Sequence, residues 1–129
     1  MRKEFTAPGL ATATDPYSVG VQAGNLIFLS GQVACDRITG DIIPGNIKVQ
    51  TKIIMDNIKY LLEHNGLTLD NIIKCVIHLT DYDRDFAAMN EVYLSYFHKP
   101  YPARFCGGVK ALYPGCIIEI EAIVSQLSS

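Results

Sequence analysis

The chain has 129 residues, enough for one compact domain and too few for two of ordinary size. An apolar fraction of 49% with 19% charged residues is the balance of a folded globular domain and argues against disorder. The net charge of −2, with Lys and Arg scattered singly, provides no basic stripe for a phosphate backbone, so nucleic acid is not an expected partner.

Arg2 and Lys3 are not followed by an apolar segment, so no secretory signal is expected. No apolar run reaches bilayer length, and no membrane association is expected. The four cysteines, Cys35, Cys75, Cys106 and Cys116, have neither C-x-x-C spacing nor a histidine at zinc-ligand spacing. Reduced thiols, no metal and a cytoplasmic location are the expectation.

In chain order, the first β-like runs flank Gly24-Asn25, a hairpin signal, and Leu26-Ile27-Phe28-Leu29 is apolar on both faces. A turn cluster over residues 36–40 leads into the extended stretch Asp41-Ile42-Ile43. Pro44-Gly45 then interrupts, and Asn46 stands as a helix N-cap. From Ile47 the period turns helical, with Ile47, Ile54, Ile58, Leu61 and Leu62 on one face and Gly66 as the stop. Residues 72–80 alternate as a strand. A second helix is predicted from about Asp83 to Phe97, where Phe86, Asn90, Tyr93 and Phe97 recur at helical spacing ahead of Pro100 and Pro102. Residues 104–110 and 116–126 read as two closing strands joined as a hairpin through Leu112-Tyr113-Pro114-Gly115.

Two helices cannot cover both faces of such a sheet, which predicts an α+β domain with both helices on one face. The last strand supports this. Ile118, Ile120, Ala122 and Val124 form a core side, whereas Ile117, Glu119, Glu121, Ile123 and Ser125 mix carboxylates with isoleucines. That second face suits neither open solvent nor a plain core, and it is expected to meet another subunit.

The segment Tyr101-Pro102-Ala103-Arg104-Phe105-Cys106-Gly107-Gly108-Val109, followed by Ile118-Glu119-Ile120-Glu121-Ala122-Ile123, resembles the C-terminal signature of the RidA (YjgF) family. Asp15-Pro16-Tyr17, Gly24 to Gln32, Thr39-Gly40-Asp41, Asp56-Asn57-Ile58, Leu79-Thr80-Asp81 and Phe86 to Tyr93 agree with it in collinear order. The resemblance implies a chorismate-mutase-like fold with one mixed six-stranded sheet. It further implies homotrimers whose sheets build a central barrel, with ligand clefts between neighbouring subunits. The implied activity is hydrolysis of reactive 2-imino or enamine acids, such as 2-iminobutanoate and 2-iminopropanoate, to 2-oxo acids, with no cofactor.

Arg104 is the first candidate, because a guanidinium grips a substrate carboxylate through two parallel hydrogen bonds. The competing reading is an ion pair with Glu121. By resemblance, Glu119 positions the water that attacks C2. If the closing hairpin pairs Arg104 with Glu121 and Cys106 with Glu119, all four side chains share one face. Cys106 is a nucleophile by chemistry and a pocket wall by resemblance. Tyr17 resembles the ring that closes the cleft. Ser30 and Gly31 end an apolar strand where polar groups can meet the imine nitrogen, and Asn90 supports the site, caps a helix or makes a contact between subunits. His64, His78 and His98 are dispersed and receive no role.

Three features depart from the family pattern: Val19 in place of a frequent Gln, Phe105 in place of a frequent Ser, and a shortened segment between Phe97 and Tyr101. The alternatives to the deaminase are a small-ligand-binding or chaperone-like trimer without turnover and, third, an endoribonuclease or translation inhibitor.

Overall fold

The computed structural model describes residues 1–11 and 14–127. It contains six strands, β1 (Lys3–Phe5), β2 (Gly20–Ala23), β3 (Leu26–Gln32), β4 (Ile72–Leu79), β5 (Ala103–Gly108) and β6 (Ile118–Ser125). Two helices, α1 (Ile47–Glu63) and α2 (Tyr82–Leu94), complete the fold with one 3-10 turn at Leu69–Asn71. The strands form a single sheet in the order β1-β2-β3-β6-β4-β5, antiparallel except for the parallel pair β4 and β5.

Local chemistry sets the helices where the sequence puts them. The Asn46 side chain accepts from the Val49 N–H at 3.0 Å, satisfying one of the free donors of the first turn of α1. Ile47, Ile54, Ile58, Leu61 and Leu62 are all buried against the sheet. After the helix, Gly66 adopts φ +75°, a conformation that favours glycine, and the Leu67 N–H returns to the Leu62 carbonyl at 3.0 Å. Asp81 caps α2 by accepting from the Arg84 N–H, and Asp83 and Asp85 complement the dipole in its first turn. This helix ends at Leu94, short of the predicted Phe97. Its last turn tightens into i→i+3 bonds, Tyr96 N–H to Tyr93 and Phe97 N–H to Leu94.

The core lies between the helices and one sheet face. Ile27, Leu29, Cys75, Ile77, Leu79, Ile118, Ile120, Ala122 and Val124 face it, and Ile118, Ile120 and Ile77 are wholly buried. Each isoleucine, leucine or valine among them stabilises the fold by about 1.5–3 kcal/mol through burial. Thr51, Asp85 and Gln50 are the buried polar side chains among the described residues, and Gln50 is fully satisfied. Its amide donates to the Ile43 and Gly115 carbonyls and accepts from the Ile117 N–H, tying α1 to the segment that leads into β6.

Two expectations are corrected, and one strand is new. Residues 104–110 and 116–126 do not form a hairpin, because β4 lies between β5 and β6. A strand that passes through a helix returns parallel, so β4-α2-β5 is a crossover unit and β5 emerges at the edge. The stretch Asp41-Ile42-Ile43 makes only an isolated bridge, Cys35 to Ile42. Finally, β1 pairs with β2 at the opposite edge, a strand too short to show a period in sequence.

Candidate active site

The pairing of β4 with both neighbours decides where the chemistry lies. Cys75 stands opposite Arg104 on one side and Ala122 on the other, whereas His78 stands opposite Gly107 and Glu119. Side chains alternate along each strand. Arg104 and Cys106 therefore point toward the helices, while Glu119, Glu121, His78 and Phe105 point away from them. The expected register, with Arg104, Glu121, Cys106 and Glu119 on one face, is overturned. So is the ion pair of Arg104 with Glu121, since the sheet separates them.

Glu119 belongs to a group built around a β-bulge. Between β3 and β6 the register runs Leu29 to Ala122 and then Gln32 to Ile120, so Ser30 and Gly31 together oppose one residue of β6. The bulge brings Gly31 against Glu119 so closely that a Cβ on Gly31 would meet Oε1 at 2.6 Å. A side chain at Gly31 would push that carboxylate from its present place. Ser30 is anchored on both sides: its hydroxyl donates to the Ser18 carbonyl at 2.7 Å, and its carbonyl accepts from the Gln32 amide at 2.9 Å. Tyr17, Ser30, Gly31 and Glu119 all line one cavity of about 750 Å³, and the loop that carries Arg37 and Asp41 lines it as well. Arg37 is held there by stacking 3.9 Å from the centre of the Tyr60 ring.

Burial pushes the Glu119 carboxyl above its ordinary value; His78 pulls it down and Glu121 pushes it up again. A carboxylate so destabilised is a better proton acceptor than a solvated one.

Arg104 belongs to a second group. Its Nη1 donates to Asn90 Oδ1 at 2.6 Å, and its guanidinium carbon lies 5.0 Å from the Tyr93 ring centre and 5.8 Å from that of Phe86. One helix, α2, thus supplies the amide and both rings that aim the guanidinium. Among the described residues no carboxylate pairs with Arg104, which leaves donors of its planar fork free for an incoming anion. Cys106 lies two residues further along the same side of β5. Burial raises its thiol above the ordinary value while Arg104 lowers it, so the thiol is not activated as a nucleophile.

The bulge, the contribution to the cavity of the loop that carries Arg37 and Asp41, and the place of His78 were not legible beforehand. Part of the signal for the third was present. Residue 78 has the parity of the open face of β4, but only the strand order shows that it faces Glu119.

A mixed six-stranded sheet with two helices on one face is an α+β architecture. Residues 8–126 match the family described as Endoribonuclease L-PSP. A RutC family protein of Pyrococcus horikoshii is 46% identical over 108 residues, covering 84% of this chain and 85% of its own. The 2-iminobutanoate/2-iminopropanoate deaminase of Mus musculus is 36% identical over 126 residues, covering 98% and 93%. The crystal structure of the YjgF gene product from E. coli superposes with a TM-score of 0.86 at 33% identity, covering 97% of this chain and 99% of that one. The chain belongs to the YjgF/RidA family, and its fold is the chorismate-mutase-like fold of that family.

Proposed function

We propose that the chain hydrolyses small 2-imino acids to 2-oxo acids and ammonia, at a site completed by two copies of itself. The observation that carries this reading is the separation of Glu119 from Arg104 by the sheet. One substrate needs both, since its carboxylate must be gripped while water is delivered to the adjacent C2. Two copies satisfy that need if Arg104, Asn90 and Cys106 of one meet Tyr17, Ser30, Gly31 and Glu119 of the next. The open sheet face supports such contact, because Leu26, Phe28, Ile73 and Phe105 are exposed on the described surface. A ring of three copies, as the family resemblance implies, is the proposed assembly.

In the proposed reaction Arg104, aimed by Asn90, holds the substrate carboxylate through two N–H···O bonds. Glu119 takes a proton from water as its oxygen bonds to C2 of the imine, and the C=N pair moves to nitrogen. The proton then passes to that nitrogen. Glu119 next takes the proton of the new hydroxyl and hands it to the same nitrogen as the C–N bond breaks, so that ammonia departs and the oxygen closes to the 2-oxo carbonyl. The deaminase named in mouse supports the substrate class. The net charge of −2 lends no support to an RNA-cleaving activity.

The test couples a threonine dehydratase to the protein and traps surviving imine with semicarbazide. Wild type is expected to lower trapping and Arg104→Ala to restore it. Equal trapping with both proteins and with none would sink the deaminase reading and leave a binding role. No helix among the described residues is long and apolar enough to cross a membrane, and we propose that the protein acts in the cytoplasm.

A further inference from the structure

On the open face, away from the helices, three side chains converge that sequence spacing does not connect. His78 of β4 stands directly opposite Glu119 of β6, and Glu121 follows two residues along the same face of β6. Their ligand atoms all lie within 4.8 Å of one another. His78 Nε2 and Glu121 Oε2 are 3.3 Å apart. That separation matches the edge of a tetrahedron, about 3.3–3.4 Å, around an ion with metal–ligand bonds of about 2.0–2.1 Å. The charge balance points the same way. Among the described residues neither glutamate has a lysine or arginine partner, and one imidazole faces two carboxylates.

We propose that His78, Glu119 and Glu121 form a binding site for a divalent transition-metal ion of the zinc class. The donor set selects the ion. An imidazole nitrogen favours zinc and its neighbours over magnesium and calcium, which take oxygen. Two carboxylates neutralise the dication. Three protein ligands leave a fourth position, and Glu119 also lines the cavity, so water or a small anion completes the shell from that side. Phe105 shields the histidine on its other flank, with ring centres 6.5 Å apart.

The metal site stands independently of imine hydrolysis, and only its effect on turnover rests on the deaminase reading. An ion bound to Glu119 takes the lone pairs that would receive the proton from water. It therefore inhibits rather than assists.

Equilibrium dialysis of the chelator-treated full chain against zinc ion decides the matter. The expected result is one ion per chain, with His78→Ala and Glu121→Gln each weakening binding by at least the about tenfold that loss of a supporting partner alone causes. Far-UV circular dichroism of the metal-free variants checks that they fold, and either variant suffices if the other does not. A paired Cys35→Ser/Cys116→Ser variant should bind as wild type. Absence of saturable binding, or binding lost only in the cysteine variant, overturns the proposal. In the coupled imine assay, zinc should slow wild type and spare His78→Ala. A wild type with no turnover would end the deaminase reading while the dialysis result still judged the metal site.

Discussion

The two faces of the sheet have the same strands and opposite characters. Toward the helices stand Ile77, Ile118, Ile120 and Val124, all wholly buried, and the one buried amide there, Gln50, has every hydrogen bond it needs. Away from them stand Phe28, Ile73 and Phe105, exposed, among His78, Glu119 and Glu121. The covered face is complete within one chain. Among the described residues the open face has apolar area without a cover and carboxylates that no lysine or arginine pairs, which is the character of a surface that works on contact with something else. Arg104 is the exception that joins them: it lies on the covered side of β5, but at the sheet edge, where a neighbouring molecule reaches it.

The largest effect expected from this contrast concerns catalysis across copies. Glu119→Gln should lower turnover by about 10²–10⁴-fold, the range of a lost general base. Mixed and reassembled with Arg104→Ala, itself inactive, it should recover about a quarter of wild-type activity, the random yield of intact sites around a closed ring. No recovery in mixed oligomers would place the site within one chain and dissolve the contrast drawn here.

Next comes the covered face itself. Ile120→Ala leaves a cavity beneath the helices and should cost about 2–5 kcal/mol in urea unfolding. Phe105→Asp, on the open face, should leave the fold of the single chain intact and shift the species seen in sedimentation velocity toward monomer. Equal destabilisation by the two substitutions would mean that the faces do not differ in kind.

The smallest effect tests a contact outside both faces. Tyr96, just beyond α2, donates to Asp56 Oδ1 of α1 at 2.7 Å, and Lys52 donates to Oδ2 at 2.7 Å. Burial pushes the Asp56 carboxyl up, but the bonds from Lys52 and Tyr96 outweigh it and hold the group below its ordinary value. A depressed carboxylate stabilises the fold above its unfolded pKa and stops doing so as pH falls through the folded one. Tyr96→Phe should therefore cost about 0.5–1 kcal/mol near neutrality, discounted for solvent exposure. Thermal melts of the two proteins should converge in acid.

Much of this was legible in the sequence, for reasons that differ by element. Both helices declare themselves by period, α1 also by its cap Asn46, and the β2–β3 turn by Gly24-Asn25, whereas the Asp81 cap of α2 emerged only in the fold. The alternation of β6 revealed its two faces before any partner strand was known. Strand order was not legible from neighbours in sequence. Residues 104–110 and 116–126 read as a hairpin because nothing local says that β4 comes between them. The helix preceding β5 does say that β5 must run parallel to β4, and that clue was available. The candidate site divided accordingly. Its residues were identified individually, but their grouping into Tyr17, Ser30, Gly31 and Glu119 on one hand and Asn90, Arg104 and Cys106 on the other depends on order and bulge, which are properties of the folded sheet.

The position of β6 has one further consequence. The last strand of the sequence lies in the middle of the sheet, hydrogen-bonded to β3 on one side and β4 on the other. During synthesis β3 and β4 therefore emerge with their facing edges open, and α1 and α2 have only two separate half-sheets to rest upon. Such edges invite pairing with other chains until they are filled. The emergence of β6, rather than the making of either helix, is then the moment at which this domain becomes a single cooperative unit.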